Sequence, residues 1–191
     1  MTLPIIAYGD PVLKKKASEV DKNQSGIREL IENMFETMYK AEGVGLAAPQ
    51  VGQSLRIFVV DATPFKKDDE KLDGFKKVFI NPEIIESTGK EILFNEGCLS
   101  FPNIREDIWR KPEVFIRYYD EDFNLHEEKY DGIAARILQH EYDHIEGIVF
   151  IDRISPLKRR IIKGKLNSIA KGLVDVNYRM KFPARKQKSY S

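Results

Sequence analysis

The sequence predicts an α+β fold in a single domain, with antiparallel or mixed sheets around a central helix able to bind a metal, and a C-terminal helix beyond it. Helical and strand-like segments both occur, but they do not alternate strictly as a parallel βαβ sheet requires. The chain has 191 residues, enough for one domain with a real core. Hydrophobic residues make up 42% and charged residues 32%, which places the chain among soluble globular proteins rather than disordered or membrane ones.

The opening MTLPIIAYGDPVLKKK lacks the basic-then-apolar layout of a secretory signal. No apolar run is long enough to span a bilayer. Cys98 is the single cysteine, so no internal disulfide can form, and a reducing, cytoplasmic setting is expected.

Residues 25–42 read as an amphipathic helix, because Ile27, Leu30, Ile31, Met34, Met38 and Ala41 recur at helical spacing. Gly43 is the expected left-handed stop. Residues 55–60, LRIFVV, read as a buried strand. Segments 78–86, 113–119 and 124–130 are further strand candidates, and the polar stretch 63–76 reads as an exposed loop. Residues 132–146 read as a second helix, with Asp131 as N-cap and Gly147 as stop. A third helix is expected from Ser155 to Gly172, capped by Ser155 with Pro156 at its first position. Its expected buried stripe is Leu157, Ile161, Leu166, Ile169 and Leu173.

The strongest chemical signal is His140-Glu141-Tyr142-Asp143-His144 on the second helix. Positions i and i+4 share a helix face, so two imidazoles there can grip one metal ion while Glu141 handles a proton beside it. The chain holds three histidines, and two of them at metal spacing around a glutamate is a poor fit to chance. His126 lies in a polar strand candidate and reads as a surface residue.

A catalytic divalent site usually takes three protein ligands. No histidine follows His144, Glu146 is too near, and Asp152 and Asp175 lack context. Cys98, in Glu96-Gly97-Cys98-Leu99-Ser100, remains. A free cysteine alone is more often buried core, but beside the histidine pair ligation is the better reading. A third element, Gly43-Val44-Gly45-Leu46-Ala47-Ala48-Pro49-Gln50, joins a helix end to a strand. Its small residues allow close backbone approach and Gln50 offers an amide donor, though a tight turn with small packing residues explains the run equally well.

GVGLAAPQ at 43–50, EGCLS at 96–100 and QHEYDH at 139–144, in that order, closely resemble the three motifs of the peptide deformylases. The resemblance runs from the N-terminal region to about residue 155. It implies a metal-dependent hydrolase that removes the formyl group from the N-terminal formylmethionine of new polypeptides and releases formate. It implies Cys98, His140 and His144 as ligands of one divalent metal, most often Fe2+, with Zn2+, Ni2+ or Co2+ as replacements in preparations. The implied catalytic set is Glu141 as general base then acid, Gln50 and the Leu99 N–H facing the oxyanion, and Gly45. Ile133 and Ile137, one turn apart near His140, can wall an apolar pocket, though ordinary core explains them, and Phe94, equally well. The family pattern adds Phe94, Arg136 and Glu96 to the substrate-binding set. Backbone groups of Val44, Gly45 and Gly97 can pair with the peptide as an added strand. An ion pair between Glu42 and Arg110 is also implied.

Two rivals remain at this point. A zinc endopeptidase of the HExxH type predicts a histidine or acid as third ligand, which the EGCLS segment opposes. A metal-free homologue that only binds peptides or ribosomes predicts loss of Glu141 or a ligand, and all are present.

The catalytic domain is expected over 1–182, with a disordered basic tail over 183–191. From Arg153 onward twelve Lys or Arg face the single acid Asp175, a formal +11 that leaves −10 for the rest of a chain whose total is +1. That asymmetry suits docking to ribosomal RNA, and it suits a solvated helix and tail equally well.

Overall fold

Strand β3 (Ile57–Asp61) shows why the fold is built in layers. Its side chains alternate between two apolar surroundings. Phe58 and Val60 enter one core, and Ile57 and Val59 enter another. A strand apolar on both faces must be covered on both, and two helices do this. The computed structural model describes residues 1–183. Beyond Pro183, the tail expected to be disordered lies outside the described residues.

Strand β3 sits in an antiparallel sheet with β2 (Gly45–Ala47), β4 (Lys76–Thr88), β7 (Glu113–Tyr119) and β8 (Leu125–Asp131), in the order β2-β3-β4-β7-β8. Helix α1 (Ile27–Lys40) covers one face through Ile31, Met34 and Met38. Helix α2 (Gly132–Ile145) covers the other through Ala134, Ala135 and Leu138. Strands β5 (Ile92–Gly97) and β6 (Arg105–Arg110) form a separate antiparallel pair, and β1 (Ile5–Ile6) pairs in parallel with β9 (Met180–Lys181). A third core of Phe101, Ile104, Ile108, Val149 and Phe150 lies between the β5–β6 pair and the C-terminal helices. These elements make the expected α+β architecture, with α2 at its centre. Among the described residues no helix is long and apolar enough to cross a membrane.

Several local expectations need correction. Helix α1 does not stop on Gly43: Ala41 caps it and Glu42 carries the left-handed turn at φ 56. Gly43 is small for another reason, since a Cβ there would sit 2.8 Å from Leu99 Cδ1. Asp131 holds the N-cap position of α2 without a capping hydrogen bond. The stretch 63–76 contains two short 3-10 turns, and Leu72, which ends the second, is buried. His126 is only half-exposed, stacked on Tyr118 with Nε2 2.7 Å from Asp120 Oδ2.

The third helix is two helices, α3 (Pro156–Ile161) and α4 (Lys163–Ala170), separated at Ile162. The break changes which residues are buried. Ile162, Leu166 and Ile169, spaced i, i+4, i+7, enter the third core. Leu157, Ile161 and Leu173 are instead exposed at 67%, 73% and 63%. Ser155 does cap α3, its side chain accepting from the Lys158 N–H.

Candidate active site

Helix α2 is amphipathic in an unusual sense: part of its buried face is polar. His140, Glu141, Asp143 and His144 are all buried. Such groups are tolerated inside only when paired or ligated. Strand β5 ends at Gly97 and delivers Cys98 to them; its Sγ lies 3.3 Å from His144 Nε2. One donor atom from each of Cys98, His140 and His144 falls within 4.8 Å of the others, a group that could hold a metal ion.

The electrostatics of the site fit a cation. Burial disfavours a charged His140, yet the Cys98 and Glu96 side chains outweigh it and push that imidazole up to about 10. The charge so stabilised is a proton on His140, which a metal ion would have to displace. Burial and the neighbouring His140 charge drive His144 well below its usual range, keeping it neutral as a ligand must be. Two buried atoms of the same site, Glu141 Oε2 and His144 Nδ1, have no hydrogen-bond partner among the described residues. A thiolate with two imidazoles is a donor set for a borderline divalent ion.

Behind this group lies a buried ionic network. Glu96 Oε2 is 2.9 Å from His140 Nδ1, and Glu96 also accepts from Arg110 (2.7 and 2.9 Å) and Arg136 (3.1 Å). Burial alone would raise the Glu96 carboxyl, but hydrogen bonds from His140 and Arg110 hold it well below the usual carboxylate range. Arg110 reaches on to Asp143 at 2.7 Å, and Arg153 closes on the same carboxylate at 2.6 Å. The expected Glu42–Arg110 pair is therefore not formed. Arg110 is fully buried, while Glu42 is an exposed residue on the rim of the cleft. Buried Glu96 and Asp143 offer Arg110 two carboxylates in reach with the desolvation already shared, which a solvated glutamate cannot match.

A cleft of about 810 Å³ opens onto this group. Val44, Gly45, Gln50, Phe94, Glu96, Gly97, Cys98, Leu99, Ile133, Arg136, Ile137, His140 and Glu141 line it, while His144 lies behind the wall at 1% exposure. The structure thus brings every site residue expected from the sequence to one place. Gly45 lets the Glu141 carboxyl pass, since a Cβ there would stand 2.8 Å from its carboxyl carbon. Burial raises the Glu141 carboxyl to about 7, and a bound cation acts in the opposite direction. Gln50 Oε1 accepts from the Ala47 N–H at 2.8 Å, which turns Nε2 toward Cys98 Sγ at 3.5 Å and Ser100 Oγ at 3.4 Å. Arg136 spends its guanidinium on Glu96 and on the Ile108 and Ile92 carbonyls, and lies 5.4 Å from the centre of the Phe94 ring.

Sequence reasoning missed two parts of this site. The Glu96–Arg110–Asp143 network was hidden because charged residues read as solvent-facing. Residues 175–178, which also line the cleft, come from a segment where no motif or periodicity signals them.

Comparison with known proteins agrees with this geometry. The polypeptide deformylase family model matches residues 2–160. A peptide deformylase of Christiangramia forsetii is 57% identical over 98% of this chain and 99% of its own length, and one of Flavobacterium johnsoniae is 53% identical over 98% and 99%. The crystal structure of a peptide deformylase from Legionella pneumophila superimposes with a TM-score of 0.80 at 39% identity, covering 91% of this chain and 98% of that one. A structure from Thermus thermophilus gives 0.80 at 38% identity, covering 90% and 99%. With most of its length matched by one family model and by relatives well above the identity that fixes a family, the chain belongs to the polypeptide deformylases.

Proposed function

We propose that this chain is a metal-dependent hydrolase that removes the formyl group from the N-terminal formylmethionine of newly made polypeptides and releases formate. One observation carries the reading: the Cys98, His140 and His144 donor atoms lie within 4.8 Å of one another, with Cys98, His140 and Glu141 lining a cleft.

A divalent ion held by these three residues supplies Lewis acidity to a water and to the formyl carbonyl. Glu141 takes the proton released as water adds to the formyl carbon and returns it to the departing amine nitrogen. Gln50 Nε2 and the Leu99 N–H donate to the carbonyl oxygen as it gains charge. Glu96 fixes the ring of His140 through Nδ1. Phe94, Ile133 and Ile137 wall an apolar slot that suits an unbranched methionine side chain. Arg136 props the slot from behind through Phe94. Backbone groups of Val44, Gly45 and Gly97 pair with the peptide main chain, which reads its direction rather than its sequence.

The proposed ion is Fe2+, with Zn2+, Ni2+ and Co2+ as replacements that suit the same donors. Ligand affinity alone favours zinc over ferrous iron, so selection rests on supply and geometry. A cytoplasmic location suits the unpaired Cys98 thiol and the nascent substrate. The basic C-terminal region is proposed to dock on ribosomal RNA.

The test is formate release from a formyl-Met peptide with and without chelator. Chelator-sensitive release with no cut inside the peptide is the expected result; internal cleavage or no release overturns the reading. Iron-loaded protein kept anaerobic should turn over faster than the zinc form, and equal rates remove the iron assignment.

A further inference from the structure

The family model ends at residue 160, yet the chain beyond it returns to the cleft. Helix α4 ends at Ala170, and Gly172 reverses the chain at φ 71, with the Phe182 ring 3.3 Å from where a Cβ would stand. Residues 175–178 then cross the cleft wall. Pairing of β9 with β1 anchors them: the Ile5 N–H donates to Arg179 O at 2.8 Å and the Ala7 N–H to Lys181 O at 2.9 Å.

Within this crossing, Tyr178 donates its hydroxyl to the Leu99 carbonyl at 2.8 Å. Leu99 is thereby held on both sides. The carbonyl before it, Cys98 O, accepts from the Phe101 N–H at 2.9 Å, and the one after it, Ser100 O, accepts from the Tyr8 N–H at 3.0 Å. Among the described residues no protein acceptor takes the Leu99 N–H itself. A donor left over in a cleft, with its peptide clamped at every neighbouring carbonyl, is preorganised for a ligand acceptor.

We infer that Tyr178 is a positioning residue for the deformylation reaction: its hydroxyl fixes the Leu99 carbonyl, one peptide group beyond the Leu99 N–H, and so holds the turn from which that N–H meets the carbonyl oxygen as charge develops there. This rests on the deformylase reading of the cleft. The hydroxyl is a dependable donor, since burial and the nearby Cys98 charge push its pKa up to about 12. Its action is indirect, through a backbone carbonyl, and so differs from a side chain that walls the cleft.

The experiment is Tyr178→Phe in the full chain, with turnover normalised to bound metal so that a partly unfolded preparation still reads on the inference. The expected result is kcat about tenfold lower with KM within about twofold, because the loss falls on the transition state alone. A second readout needs no turnover: the Phe101 N–H, bonded to Cys98 O across the same turn, should exchange about threefold faster or more in metal-free protein. Parental kcat per metal overturns the inference, and so does a raised KM with parental kcat, which makes Tyr178 a wall residue. No formate from the parent overturns the reading of the reaction instead, and the Phe101 exchange rate then decides on its own whether Tyr178 holds that turn.

Discussion

Glu96 and His140 face each other across 2.9 Å, carboxylate oxygen to Nδ1, and this contact decides which ring nitrogen is available to a metal. With Nδ1 occupied, Nε2 is left for the metal beside Cys98 and His144. Partners of this kind fix tautomer and ring angle, and losing one costs roughly 10–100-fold in metal affinity. Glu96→Gln should therefore weaken divalent metal binding by about that factor in a competition titration. Unchanged affinity would show that packing alone orients His140.

Cys98→Ala and Glu141→Ala should separate two roles. The first removes a donor, so metal analysis should find severe loss of bound ion. The second removes a buried carboxyl outside the donor set, so metal content should hold while turnover falls by roughly 10²–10⁴. A metal-loaded Glu141→Ala enzyme with substantial activity would mean that another group moves the proton.

Much of this site was legible because its signals are local. The i, i+4 histidines, the single cysteine and the glycines at 43, 45 and 97 each carry meaning within a few residues of sequence. Strands β5 and β6 were not legible. The residues they bury are Glu96, Ile108 and Arg110, in which charged residues stand where the period-2 pattern calls for apolar ones. Burial of Arg110 depends on two carboxylates, Glu96 and Asp143, 14 and 33 residues away. No single window contains that compensation. The C-terminal helices failed for a different reason. Leu157 and Ile161 match the helical period, but the break at Ile162 rotates the second helix, and the buried set restarts from Ile162.

The buried network makes a stability prediction that the sequence would have placed elsewhere. Removing one member of a buried ion group strands the others and costs roughly 3–5 kcal/mol. Arg110→Ala should lose about that much in urea unfolding, because Glu96 and Asp143 each lose a buried partner and keep only His140 and Arg136 for the first and Arg153 for the second. Glu42→Ala, on the exposed rim, should stay within about 0.5 kcal/mol. Equal losses would restore a role for Glu42 in holding Arg110.

A second cluster predicts a pH effect away from the cleft. Glu128 accepts from Tyr118 OH, from Tyr130 OH and from Lys77 Nζ at 3.0 Å. Burial opposes its ionisation, but these donors outweigh burial and lower its pKa from 4.5 to about 2. A carboxyl depressed by folding stabilises fully above its unfolded pKa and loses that contribution as pH falls through the folded one. The stability gap between the parent and Glu128→Gln should thus be constant above pH 4.5 and shrink toward pH 2. A gap that grows on acidification would mean the network stabilises the protonated acid.

The proposed docking of the C-terminal region on ribosomal RNA can be sharpened by the contacts its charges make. Lys158 already pairs with Glu106 at 3.2 Å, and Arg159 binds the Ile151 carbonyl at 2.8 Å and Asp152 at 3.4 Å. Arg160, Lys163 and Lys165 are exposed with no such acid partner among the described residues. They are the better candidates for meeting phosphates, since a committed cation must first give up its own pair. Leu157 and Ile161, exposed on the same short helix as Arg160, add apolar area that a packed RNA or protein surface could cover. Binding through phosphate contacts weakens steeply with salt, so co-sedimentation with ribosomes should be strong at low salt and lost at high salt. Charge reversal at Arg160, Lys163 and Lys165 should abolish it while hydrolysis of a short formyl peptide stays at the parental rate. Reversal at Lys158 and Arg159 should weaken pelleting less and should also cost some stability. If the triple reversal still pellets like the parent, the basic region serves only to keep the protein in solution.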